Sequence, residues 1–154
     1  MNTALSWIKA YVPELECSGQ EYLDALTLSG TKVETYECLD KNLKDIYVGQ
    51  ILSIERHPDA DKLIICQVDL GDKKLQIVTG APNVKVGDKV PVVIDGGKVA
   101  GGHDGGPLPE DGIVIKNGKL RGVDSNGMIC AADTPDGVKV IFVDDSIPVG
   151  SKIR

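Results

Sequence analysis

Residues 48–71 read VGQILSIERHPDADKLIICQVDLG, which is two apolar runs on either side of a short polar segment. The runs 47–56 and 63–70 are rich in valine and isoleucine, which favour strands. The segment between them contains His-Pro-Asp, and Pro58 fixes its own φ at about −65°, which suits a turn. The stretch therefore predicts two neighbouring strands joined by a turn at residues 57–63.

The residues of this turn could instead form a metal site or a catalytic site, because His57, Asp59 and Asp61 alternate and would share a face of an extended chain. A zinc site would need a further ligand, and the other histidine, His103, lies in a glycine-rich segment. A catalytic role for His57 as a general base would need a nucleophile to act on, and the sequence has no nucleophile motif such as G-x-S-x-G. Pro58 disfavours the extended chain that a metal site requires. We therefore predict a structural turn in which Asp59 or Asp61 bonds turn amides, with no catalytic residue and no metal ligand.

Further apolar runs, separated by glycine and other turn residues, continue the pattern along the chain; they lie at 74–80, 89–95, 112–116 with 119–123, 127–132 and 138–143. Asn117-Gly118 predicts a hairpin with a type I′ turn, which would place Lys116, Lys119 and Arg121 on one two-stranded arm. The glycine-rich segment 95–112 is expected to be a mobile loop. Short strands at this spacing predict a mainly β fold, either a small barrel or a sandwich.

Residues 1–40 have a helical pattern instead. Ser18-x-x-Glu21 is the spelling of a capping box, and the helix that it begins is expected to end near Gly30. A shorter helix is predicted to start at Leu5 or Ser6 and to end before Pro13.

Charge and composition limit the possible functions. The net charge of −6 is the wrong sign for a strong nucleic-acid binder, although IVIKNGKLR at 113–121 holds three cations and no acid. The four cysteines form no C-x-x-C pair, so we expect them to be reduced and mostly buried. A membrane span and a signal peptide are not indicated, so we expect a cytoplasmic location.

Three motifs in this order resemble the tRNA-binding OB-fold module related to endothelial monocyte-activating polypeptide: the opening stretch, IVTGAPNV at 77–84 and KLRGVDSNGMICAA at 119–132. In addition, MNTALSWIKAYVPEL and ALTLSGTKVE resemble the start of the β subunit of bacterial phenylalanyl-tRNA synthetases. The resemblance implies an OB-fold Greek-key barrel over residues 41–150. It also implies that residues 1–40 are the helical first part of a discontinuous domain. Residues 151–154 would then be the point at which the chain begins to return to that domain. The chain is therefore expected to be an N-terminal fragment that is not catalytic alone.

The same resemblance implies that the module contacts tRNA by shape and backbone and supports aminoacylation of tRNA(Phe) by the full enzyme. That enzyme uses ATP and magnesium and includes an α subunit as partner, whereas no cofactor, membrane or DNA is expected for this fragment. The residues that would contact tRNA are Lys62, Lys119, Arg121, Ser125, Asn126 and Met128, which match the motifs, and Lys116 on the predicted arm. Because the chain is acidic and has few aromatic residues for base stacking, we expect weak tRNA binding. An architectural or protein-interaction role remains the alternative.

Overall fold

The computed structural model describes residues 3–38, 40–101, 109–134 and 137–153. The chain divides into two compact units, Met1–Lys41 and Asn42–Arg154. In the part of the chain that the structure describes, no helix is both long and apolar enough to span a bilayer.

The first unit contains two short helices, α1 at Leu5–Tyr11 and α2 at Gly19–Leu28. The predicted capping box is confirmed: the Ser18 hydroxyl accepts a hydrogen bond from the Glu21 N–H, and the Glu21 side chain accepts one from the Ser18 N–H. The Ser18 N–H and the Ser18 hydroxyl both donate to the Glu21 carboxylate, and these two bonds lower its pKa. Gly30 adopts a φ of 107° just beyond α2, which agrees with its predicted role as the stop.

The second unit is built from antiparallel strands. The strands are β1 at Lys44–Arg56, β2 at Ile64–Asp69, β3 at Lys74–Thr79, β4 at Lys89–Val99, β5 at Ile113–Val114, β6 at Gly118–Leu120, β7 at Val123–Ser125, β8 at Met128–Ile129, β9 at Ala131–Thr134, β10 at Gly137–Val140 and β11 at Lys152–Ile153. The main sheet has the order β3-β2-β1-β4-β5, with β8 paired to β4 and β11 paired to β1. Two hairpins, β6–β7 and β9–β10, form separate two-stranded sheets.

Hydrogen bonds between β3 and the end of β7, at Ser125 and Asn126, close the sheet into a barrel. The Asn126 N–H donates to the Gln76 carbonyl at 2.8 Å, and the Val78 N–H donates to Ser125 Oγ at 3.1 Å. Because β4 returns to pair with β1 rather than β3, the connection is of the Greek-key kind. The prediction of a mainly β OB-fold barrel with a small helical segment is therefore confirmed.

Valine and isoleucine fill most of the barrel interior. Among the described residues, the largest fully buried side chains are Ile51, Ile77, Val48, Val68, Val90, Val92, Val93 and Cys66. Gly49 lets the strands come together there, since a Cβ at this position would lie 2.6 Å from the Val68 Cγ1. An irregularity in register between Ile51 and Ser53 provides the bulge that bends the long strand β1.

The Asn117-Gly118 hairpin prediction is wrong. The chain turns instead at Arg121 and Gly122, whose φ values of 49° and 86° are those of a two-residue type I′ turn between β6 and β7. The Asn117 N–H donates to Asp95 Oδ1 at 2.7 Å, so that this residue is tied to β4 rather than to a neighbouring arm strand. As a result, Lys119 and Arg121 belong to the arm, whereas Lys116 precedes it.

The predicted loop at 95–112 is also corrected at its start. Strand β4 continues through Asp95, Gly96 and Gly97 to Val99, because the Gly96 N–H donates to the Ile115 carbonyl and the Ile115 N–H donates to the Gly97 carbonyl, both at 2.8 Å. The remainder of that prediction falls largely at 102–108, which lies outside the described residues.

All four cysteines are free, as predicted, but only Cys66 is buried and the other three are half-buried. Burial raises the pKa of the Cys66 and Cys130 thiols to about 11.

Candidate nucleic-acid interface

The ring of His57 organises the turn at 57–63. Its Nδ1 accepts a hydrogen bond from the Asp59 N–H at 3.1 Å, and the His57 N–H donates to the Leu63 carbonyl at 3.2 Å. The sequence predicted that an aspartate carboxylate would bond the turn amides, but the imidazole bonds the Asp59 amide. The other ring nitrogen, Nε2, lies 3.0 Å from the Leu120 carbonyl oxygen on β6. The turn is therefore joined to the β6–β7 hairpin.

We call residues 57–63 and 118–125 together the turn-arm surface. Its charged side chains are exposed: they are Asp59, Asp61, Lys62, Lys119, Arg121 and Asp124. Lys119 Nζ lies 3.8 Å from Asp124 Oδ1 across the hairpin, and both side chains remain about two-thirds exposed, so this ion pair adds little stability. The His57–Leu120 contact thus joins the segment that carries Lys62 to the arm that carries Lys119 and Arg121.

The base of the arm is attached to β3 by polar contacts. Ser125 is 5% exposed, and its hydroxyl accepts from the Val78 N–H and donates to the Gly127 carbonyl at 3.2 Å. Gln76 Nε2 donates to the Asp124 carbonyl at 2.8 Å. Sequence reasoning missed this role of Gln76, because the pattern of a strand does not reveal which distant backbone group a polar side chain meets.

The other predicted residues lie elsewhere on the barrel. Met128 is half-buried and packs against the core cluster of Ile46, Val93 and Val99. Asn126 lines a shallow cleft of about 200 Å³ together with Lys73, Leu75, Ile94, Asp95 and Asn117. Lys116 is exposed next to Asn117 and so lies beside this cleft rather than on the arm.

Aromatic side chains contribute little to the surface of the barrel unit. Tyr47 is half-buried, and Lys152 Nζ lies 5.9 Å from the centroid of its ring. Phe142 is about half exposed, but it lies in the segment after β10 and not on the turn-arm surface. Within the described ranges, no three His, Cys, Asp or Glu side chains are grouped closely enough to hold a metal ion. The turn-arm surface therefore offers charged side chains of both signs, with three cations and three carboxylates.

The second unit has the fold of an OB-fold domain. A family model described as "Putative tRNA binding domain" matches residues 46–152, and the chain belongs to this family. The phenylalanine–tRNA ligase beta subunit of Clostridium acetobutylicum is 40% identical over 161 residues, a match that covers 100% of this chain and 19% of that relative. The same subunit of Clostridium tetani is 45% identical over 132 residues, covering 85% of this chain and 15% of the relative. The resemblance to these β subunits is confirmed, and the chain spans about a fifth of their length.

A solved structure has a similar fold. The MetRS related protein from Pyrococcus horikoshii superposes with a TM-score of 0.55 at 28% identity. The match covers 79% of this chain and 100% of that protein.

Proposed function

We propose that the barrel binds tRNA through the phosphate backbone, with Lys62, Lys119 and Arg121 as the contacting cations. The observation that carries the proposal is the His57 bridge, which joins the turn holding Lys62 to the arm holding the other two. Cations on a shared, exposed surface can meet successive phosphates, and such contacts give affinity without reading the base sequence.

The remaining candidate residues take different roles in this proposal. Lys116 and Asn126, beside the cleft, extend the contact through a phosphate or ribose interaction. Ser125 and Met128 support the surface from within the barrel, since the Ser125 hydroxyl already has a partner on each side and Met128 packs on the core.

Affinity is expected to be modest for two reasons. The three cations share the turn-arm surface with three carboxylates, Asp59, Asp61 and Asp124. The surface also lacks an exposed aromatic side chain on which a base could stack. Most of the binding free energy should therefore come from counterion release and depend on salt.

Within a full-length β subunit, we propose that this contact supports aminoacylation of tRNA(Phe), with the α subunit as partner and ATP and magnesium as cofactors of the complete ligase. In this proposal no step of the reaction is assigned to this chain. ATP-pyrophosphate exchange catalysed by the chain alone would contradict this division.

The test is a titration of labelled tRNA with the unaltered chain and with Lys119→Glu/Arg121→Glu. Charge reversal should weaken binding by about tenfold or more and make the slope of log K against log[salt] shallower by about one to two. Lys44→Glu/Lys85→Glu is the matched control, since it changes the net charge equally at exposed positions outside the turn-arm surface. Equal losses in the two variants would mean that only the overall charge matters.

An architectural role is the second candidate, favoured by the exposure of Val86 and Phe142, apolar side chains that are available to a protein partner. Unchanged tRNA affinity in the Lys119→Glu/Arg121→Glu variant would favour this role over tRNA contact.

A further inference from the structure

The two ring contacts of His57 define its tautomer. A carbonyl oxygen only accepts, so Nε2 must carry the hydrogen that is donated to Leu120. A backbone N–H only donates, so Nδ1 must be the bare acceptor that faces Asp59. The imidazole is 5% exposed and uses both nitrogens, which makes it a neutral connector between two segments that are 63 residues apart.

The arm needs such a connector because little else restrains its outer half. Strands β6 and β7 pair over three residues each and lie outside the main sheet. Every residue from Gly118 to Gly122 is exposed. A two-stranded hairpin of this kind is at best marginally stable by itself. The contacts of Gln76 and Ser125 hold its base, whereas the His57 ring holds Leu120, the residue immediately before the turn.

We propose that His57 is a positioning residue for tRNA binding, which keeps Lys119 and Arg121 in place through its hydrogen bond to Leu120. The inference rests on the proposed function of these cations. Leu120 lies directly between them in the sequence, so fixing its carbonyl also fixes the backbone from which both side chains project. An arm that is ordered before binding does not have to lose conformational entropy on contact with tRNA, so it binds more tightly.

Two conservative substitutions separate the two ring contacts. In His57→Asn, the amide oxygen can replace Nδ1 as the acceptor for the Asp59 N–H, but no atom reaches the position of Nε2. In His57→Gln, the amide nitrogen lies one bond further out and can donate to the Leu120 carbonyl. We expect His57→Asn to weaken tRNA binding about fivefold, equivalent to one ordinary hydrogen bond, and His57→Gln to stay within about twofold of the unaltered chain.

A readout that does not involve tRNA accompanies the titrations. Amide hydrogen exchange in β6 and β7 should be faster in His57→Asn than in the unaltered chain, while exchange in β1 and β2 stays the same. Thermal melting of each variant ensures that binding is measured on folded protein. A purely structural role predicts instead that affinity follows the melting temperature in both variants.

A double-mutant cycle with Lys119→Gln/Arg121→Gln completes the test. If His57 acts through these cations, His57→Asn should have no further effect on affinity once they are neutralised. The same fivefold loss in both backgrounds, or equal affinity of His57→Asn and His57→Gln, would overturn the inference while leaving the proposed function intact. If Lys119→Gln/Arg121→Gln itself binds tRNA as tightly as the unaltered chain, the proposed function fails first.

Discussion

Replacement of Ser125 by alanine should destabilise the barrel without a direct effect on tRNA contact. Ser125 belongs to the stretch KLRGVDSNGMICAA, one of those that resemble the tRNA-binding module, but its hydroxyl lies inside the barrel. The substitution removes the bond from the Val78 N–H at 3.1 Å and the bond to the Gly127 carbonyl at 3.2 Å. Alanine fits the space, so the change is confined to these two polar groups.

The loss in the free energy of unfolding follows from the burial of the Val78 N–H and the Gly127 carbonyl. Each lost hydrogen bond contributes about 1 kcal/mol, and a buried N–H left without a partner adds to this, since Val78 is 5% exposed. We expect a loss of about 2 to 3 kcal/mol in the free energy of unfolding. For a domain of this size, this corresponds to a fall in Tm of about 10 °C.

Urea unfolding and thermal melting measure the loss, and tRNA titration is carried out well below the new Tm. Ser146→Ala is the matched control, because this serine is exposed and should change stability by less than about 0.5 kcal/mol. Refutation would be a large fall in tRNA affinity with no change in Tm, since the hydroxyl would then contact RNA.

Two further substitutions test the packing and the electrostatics of the barrel. Gly49→Ala should lower the free energy of unfolding by about 1 to 3 kcal/mol, because its Cβ would lie 2.6 Å and 3.0 Å from the methyl groups of two buried valines. Gly118→Ala is the control, since the nearest atom to its Cβ is 4.0 Å away. Equal stability of the two variants in urea would contradict the packing argument. The hydrogen bond from Lys152, 2.9 Å long, lowers the pKa of the Asp45 carboxyl below its ordinary value of 3.8. The folded state therefore binds this proton less readily than the unfolded state, so the pair stabilises above pH 3.8 and its contribution is lost as the pH falls through the lowered value. Lys152→Met should make urea midpoints less dependent on pH below about 4, and an unchanged profile would show that the pair is not formed.

Local patterns predicted the strands and the helix boundaries because those elements depend on nearby residues. The runs around Pro58 became β1 and β2, and the capping box at Ser18 began α2. The predicted turn at Asn117-Gly118 does not form, because the Asn117 N–H donates instead to Asp95, which lies 22 residues away. The residues with positive φ values at the hairpin turn are Arg121 and Gly122. An arginine in this conformation carries a cost that only the tertiary pairing offsets, and no local rule anticipates it.

The motifs proposed Lys62, Lys119 and Arg121 as candidate contacts, but they did not predict how the segments that carry these residues are joined. That connection depends on His57 and Leu120, which lie 63 residues apart. His57 was interpreted as turn chemistry because its neighbours in sequence suggested nothing else. Its distant partner could only be found from the folded chain.

An NMR map of backbone amide shifts, recorded as tRNA is added to the unaltered chain, tests most directly whether the turn-arm surface contacts tRNA. Such a contact predicts the largest changes at residues 59–63 and 119–122, and these changes should decline together as salt is raised. Changes concentrated around Val86 and Phe142, with the turn-arm surface unaffected, would contradict it.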